Sequence, residues 1–87
     1  MTVKTKHGTF NVTDITFKAR RELHVLEVSA VNTSGAMDNT RFFRVLDWIL
    51  DYSFSDAEKH LGSLDDNQID EVLMSIYNQY KEPNKKK

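Results

Sequence analysis

The residues of this chain whose types could do chemistry come as small groups of carboxylates, imidazoles and cations at helical spacing. His24 stands three residues before Glu27, and His60 closely follows Asp56 and Glu58. Such neighbours can contribute to a metal site, but no H-E-x-x-H or comparable ligand set is spelled here. They read as solvated helix-surface residues, which helix faces carry routinely. Asp65-Asp66-Asn67 resembles the opening of a calcium loop. The Gly and Glu that such a loop needs further on are missing, and a helix cap already explains the Asp. Asp47 and Asp51 lie one turn apart and could do acid–base work if an apolar cleft held one of them. Arg44 shares their stripe, which faces outward, so no such cleft is expected. No Ser-His-Asp neighbourhood, Gly-rich phosphate loop or cysteine nucleophile can be picked out. The chain is expected to be non-enzymatic, with no catalytic residue, cofactor or metal.

The cations are the remaining chemistry. Lys18, Arg20 and Arg21 cluster near the start of one candidate helix, and Lys85 to Lys87 form a tail. Glu22 and Glu27 follow the first cluster, and no stacking aromatics are interleaved with it. Twelve Lys and Arg stand against thirteen Asp and Glu, a net charge of −1. A dedicated nucleic-acid-binding domain carries a basic excess, so a solvated face is the better reading and nucleic acid is not an expected partner.

The elements that must position these groups are organised around Arg41 to Phe54. This stretch holds the only Trp, three of the five Phe and one of the three Tyr, with no Gly or Pro. At 100° per residue, Arg44, Asp47 and Asp51 share one narrow stripe, within which Arg44 can reach Asp47. Phe42, Phe43, Val45, Leu46, Trp48, Ile49, Leu50 and Tyr52 spread over most of the rest. A helix apolar on nearly every side is expected to have neighbours packed around it.

Ahead of it, Val3 to Lys6 and Thr9 to Val12 alternate as strands about a His7-Gly8 turn, which predicts a hairpin over 3–12. Two strands are marginal alone, so Phe10 and Val12 should anchor them. Ile15, Ala19, Leu23, Leu26 and Ala30 then fall on one helical stripe. Residues 23–31 are β-branched enough to suggest a strand, but the stripe spans four turns and favours a helix over about 16–31, with Thr16 as N-cap. Asn32 to Ala36 is a loop in which Asn32 suits a helix end, and Asp38 or Asn39 caps the central helix over 39–53. Ser55 to Glu58 fits a capping box for a short helix over 56–61, closed by Gly62. Asp65 and Gln68 form a second box, with Leu64 and Ile69 at the positions of a hydrophobic staple. Behind it, Ile69, Val72, Leu73, Ile76, Tyr77 and Tyr80 repeat at helical spacing over 65–80. Pro83 stops this helix, and 82–87 is expected to be a disordered basic tail.

The fold expected is therefore mainly α. A small N-terminal β-hairpin leads into three to four helices packed around a central aromatic helix, in one domain over 1–81. With 87 residues the chain is near the lower limit for a self-sufficient core. It has no cysteine for disulfides or thiolate metal sites. No signal peptide or membrane-spanning run is visible, so a soluble cytoplasmic protein is expected. A chain this short can wrap one helix only so far, and most of its aromatics should be core. The surplus, Phe43, Trp48 and Tyr52 with Tyr77 or Tyr80, together with the exposed side of the first helix and its Arg20, is the candidate surface for a protein partner or a second copy. Exposure of Trp48 or Phe43 would favour it.

The layout also resembles a known family. A short hairpin leads into Asp14-Ile15-Thr16-Phe17-Lys18-Ala19-Arg20-Arg21-Glu22-Leu23-His24-Val25-Leu26-Glu27, then an acidic loop and an aromatic helix. The chain closes with Leu61-Gly62-Ser63-Leu64-Asp65-Asp66-Asn67-Gln68-Ile69-Asp70-Glu71-Val72-Leu73. This is similar to the small tail assembly chaperones of tailed bacteriophages. The resemblance implies a mostly helical protein of the host cytoplasm that binds the tape measure protein before the tail tube forms. It carries over no functional residue, because the family has no catalytic or ligand motif. The competing expectation is a small phage or bacterial regulator that occludes a host enzyme through the same aromatic surface.

Overall fold

The computed structural model describes residues 1–31, 34–36 and 38–81. A two-stranded antiparallel hairpin, β1 (Thr2–Thr5) and β2 (Gly8–Asn11), precedes four helices. These are α1 (Phe17–Ser29), α2 (Asn39–Ser53), α3 (Ala57–Leu61) and α4 (Asp66–Lys81). The hairpin turns at Lys6-His7, one residue earlier than its glycine suggests. Thr5 makes this turn: its Oγ1 accepts from the His7 N–H at 3.0 Å and donates to the Gly8 carbonyl at 2.8 Å. Gly8 then enters β2 at φ 126°, a conformation that other residues rarely adopt. Val3 and Val12 are buried, and Phe10 sets its edge against Phe54 with centroids 6.1 Å apart. The hairpin is thus anchored on the helices by alternate residues.

Each helix starts where a short polar side chain can take up a free backbone N–H. Thr16 accepts from Ala19 at 3.1 Å and Asp38 accepts from Arg41 at 3.2 Å. Asp65 and Gln68 close a reciprocal box, at 3.0 and 2.8 Å. At α3 the cap is Asp56 rather than Ser55, because Asp56 Oδ1 reaches the Lys59 N–H at 3.2 Å. α3 ends on Gly62, where a Cβ would lie 2.5 Å from the Glu58 carbonyl oxygen. The β-branched run at the end of α1 is helical as far as Ser29. The expected roles of Asn32 and Pro83, and of the 82–87 tail, lie outside the described residues.

α2 is the central helix, with α1 and α4 packed against it and β1 against α4. Val45 and Ile49 are fully enclosed, and with Leu46 they meet Leu23 of α1 and Val72, Leu73 and Ile76 of α4 in a single core. The helix is not wrapped on every side. Phe43, Arg44, Asp47 and Asp51 remain exposed, because no element among the described residues covers them. On its first turn Arg41, rather than Arg44, finds a carboxylate, Asp38 at 3.9 Å.

Residues 12–16, between β2 and α1, have no regular structure, and side chains from two helices hold them. The Thr13 N–H donates to the Ser53 carbonyl at 3.1 Å. Tyr80 is 1% exposed, and its hydroxyl donates to the Thr13 carbonyl. Its one proton is then used, so Ser53 Oγ, 3.2 Å away, must donate to it. Tyr52 donates to the Asp14 carbonyl at 2.8 Å and accepts from the Thr16 N–H at 3.4 Å. On the opposite side His7 Nε2 lies 2.5 Å from Glu71 Oε1, tying the hairpin turn to α4.

Two stability measurements test these ties. Tyr80→Phe should lower stability by about 1–3 kcal/mol, since the Thr13 carbonyl and Ser53 hydroxyl lose their buried partner. In urea the midpoint should fall with an unchanged slope. The hydrogen bond from His7 holds the Glu71 carboxyl below its usual range, with the Lys6 charge assisting. A carboxylate that ionises more readily in the folded chain stabilises it above the unfolded pKa, and this is lost as pH falls through the folded one. His7→Ala should therefore be less stable than the parent above about pH 4.3. The difference should close as pH is lowered further, measured by urea unfolding across the acid range.

Candidate interaction surface

Each residue expected at a partner surface has a definite place. Tyr80 and Tyr52 hold the linker ahead of α1, so their hydroxyls are committed to the fold. Tyr80 in particular is core, because its ring fills the space between Tyr52, 5.9 Å away, and the linker. Tyr77 is half-buried. Its ring meets the edge of Phe42, and its hydroxyl donates to the Glu27 carboxylate of α1. Burial first, and then this carboxylate, push the Tyr77 hydroxyl well above its usual range, so it remains a donor. Trp48 stacks on Tyr52 with rings 4.9 Å apart and 6° from parallel, and keeps part of its surface open. Phe43 is 52% exposed and Arg20 is exposed.

These positions do not form one aromatic patch. Tyr52 meets the linker and Arg41 donates to the Ser29 carbonyl at 3.4 Å, so that flank of α2 faces α1. Phe43 is nine residues from Tyr52, which is about half a turn round the helix. It shares its flank with Asp47. Asp70 of α4 senses that charge, its carboxyl being raised chiefly by burial and then by Asp66 and Asp47. Phe43 is therefore an isolated apolar side chain beside an acidic region.

The larger apolar exposure lies on α1. Phe17 is 78% exposed, Val25 61% and Val28 59%. At 100° per residue these three fall on one stripe with Arg21 and His24, and Arg20 at its margin, opposite the buried stripe of Ala19, Leu23 and Ala30. α1 thus has two apolar faces and only one is used by the fold. The second was legible in the sequence as Phe17, Val25 and Val28 at offsets of eight and three, but the stronger periodicity of the core face obscured it.

At the N-terminal half of this stripe a cleft of about 410 Å³ opens between α1 and the end of α4. Phe17, Arg20, Arg21, His24 and Lys81 line it. Lys81 is held in place by Glu27, Nζ to Oε1 at 2.5 Å, and His24 Nδ1 stands 3.8 Å from the same oxygen. Arg20 and Arg21 make no ion pair among the described residues. Elsewhere, Asp47 and Asp51 are exposed, and no group of three or more metal-ligating side chains is found among the described residues. No helix among them is long and apolar enough to cross a membrane. Comparison with protein-family models, curated proteins and solved structures finds no match for this chain.

If the outer stripe is free of any duty in the fold, it should tolerate polar substitution. The triple change Phe17→Ser, Val25→Ser and Val28→Ser should alter stability by less than about 1 kcal/mol, as expected of exposed positions. Leu23→Ala on the opposite face should cost about 2–5 kcal/mol. Urea unfolding of both variants beside the parent makes the comparison.

Proposed function

We propose that this chain is a non-enzymatic protein-binding module of the phage tail assembly chaperone kind, whose client is a long helical tail protein such as the tape measure protein. The observation that carries the binding reading is the second apolar face of α1, with Phe17, Val25 and Val28 all more than half exposed. Soluble domains seldom leave large apolar side chains aligned on one helix unless something covers them. An amphipathic helix laid along such a face is an established mode of recognition. The layout of hairpin, basic first helix and aromatic second helix supports the choice of client.

The proposal gives the chaperone a simple physical task. A long amphipathic client exposes apolar stripes that drive self-association, and a small protein carrying its own stripe can cover them one segment at a time. Several weak contacts along one client give retention together with release, because each copy dissociates independently. Arg20 and Phe43 keep their place in the proposed surface, Arg20 beside the α1 stripe and Phe43 as a separate contact. Trp48 contributes its open edge, while Tyr52, Tyr77 and Tyr80 act on the surface indirectly by fixing α1.

The test is an affinity capture from infected cells, read by mass spectrometry, with the parent and two folded variants. A long tail protein should be enriched by the parent and lost with Val25→Asp plus Val28→Asp, while Phe43→Asp reduces it less. Recovery of a host enzyme in its place overturns the chaperone reading and favours an occluding inhibitor. Equal recovery of the tail protein by the α1 variant removes α1 from the binding surface.

A further inference from the structure

We infer that the outer face of α1 accepts an acidic amphipathic helix of a partner protein, with apolar side chains against Val25 and Val28 and carboxylates in the cationic cleft between α1 and the end of α4. This rests on the protein-binding reading above and specifies the chemistry of the partner.

The face has two halves of different character. Its first two turns carry Phe17, Arg20, Arg21 and His24, joined across the cleft by Lys81, and among the described residues no carboxylate lines that cleft. Its last two turns carry Val25 and Val28, both exposed. Phe17 and Val28 are eleven residues apart, about 16 Å along the axis, so a partner helix of about three turns spans the face. An arginine without a carboxylate has its planar fork of donors free, the arrangement that takes a carboxylate through two parallel hydrogen bonds. Phe17 flanks the guanidinium groups and adds an apolar floor on which the methylenes of a Glu can rest. Lys81 is already paired with Glu27, which offsets its charge, so the cations left to take a partner's carboxylates are Arg20 and Arg21, with Lys81 fixed at the rim of the cleft.

Two other occupants fit less well. An extended polyanion such as single-stranded nucleic acid would meet the cleft but would leave Val25 and Val28 uncovered. The chain as a whole is at −1, and Asp47, Asp51 and Asp66 are exposed on its other helices, which repels a long polyanion that tracks over the surface. A second copy docked stripe to stripe offers no acid in return, because the stripe of Phe17, Arg20, Arg21, His24, Val25 and Val28 contains none. The charge of the face is complemented by a partner that brings carboxylates of its own.

The experiment uses two helical peptides with the same leucine stripe, one flanked by Glu and one by Lys, titrated into the ¹⁵N-labelled full chain. The Glu peptide should shift the amide resonances of Phe17 to Val28 and of Lys81, with binding that weakens as salt is raised. Arg20→Glu with Arg21→Glu should bind the Glu peptide about tenfold more weakly and gain affinity for the Lys peptide. Equal binding of both peptides by the parent, or no shift on α1, overturns the inference. So does tighter binding of a single-stranded oligonucleotide to the same residues, or self-association of the free chain through them. In the infected-cell capture, loss of the client with Val25→Asp plus Val28→Asp but not with the arginine reversals would sink this inference and leave the protein-binding reading standing.

Discussion

The structure depends on how an irregular segment of five residues is held. In the linker 12–16 Val12 still pairs with Met1, but the N–H groups of Thr13 and Thr16 and the carbonyls of Thr13 and Asp14 have no partner in a strand or helix of their own, and such groups are costly if buried without partners. Ser53, Tyr52 and Tyr80 supply the partners, from the end of α2 and the end of α4. Because the linker runs directly into the Thr16 cap, these bonds set where α1 begins. They also set the rotation of α1 on the core, and with it which residues look outward. Phe17, Val25 and Val28 face solvent because Ala19, Leu23 and Ala30 are drawn inward from an anchored start. The proposed interaction surface is in this sense built by tyrosines that do not belong to it.

The Glu27 carboxylate completes the arrangement from the other direction. It accepts from Tyr77 and pairs with Lys81, so the last turns of α4 are fastened to the last turn of α1. The same contact brings Lys81 to the mouth of the cleft. One carboxylate thus joins two helices and places a cation opposite Arg20 and Arg21. Charge-assisted hydrogen bonds of this kind are stronger than neutral ones, particularly where the acceptor is mostly covered, and the Glu27 side chain is 17% exposed.

Most of the architecture was legible in the sequence because it rests on local rules. Thr16, Asp38 and the Asp65/Gln68 pair mark helix starts through bonds made within three residues. The four-turn stripe from Ile15 to Ala30 outweighed the β-branched character of the same stretch, since a helix could bury that stripe against α2. What periodicity cannot assign is the use of a polar tip. Tyr52, Tyr77 and Tyr80 read as surplus aromatic surface, yet each hydroxyl has a specific acceptor far along the chain. The exposed side of α1 was expected at the partner surface, but its apolar character went unread for a related reason. A helix with apolar residues on opposite sides gives a weak overall signal even when each side is regular. Only the packing of α1 on α2 shows which side is spare.

The bond from Tyr80 to Thr13 spans 67 residues and that from His7 to Glu71 spans 64. Contacts of such separation close the largest loops in the chain and are made late in folding. During synthesis from the N-terminus, the hairpin and α1 emerge first and can form locally. The bonds from α2 come next, and the fastenings from Tyr77, Tyr80 and Lys81 come only when α4 is complete through its last turn. Until then α1 is held by the bonds from α2 alone, and its apolar faces are less completely covered. A protein proposed to shield the helices of its client therefore passes through a stage in which its own first helix needs the same protection. The docking of α4 ends that stage.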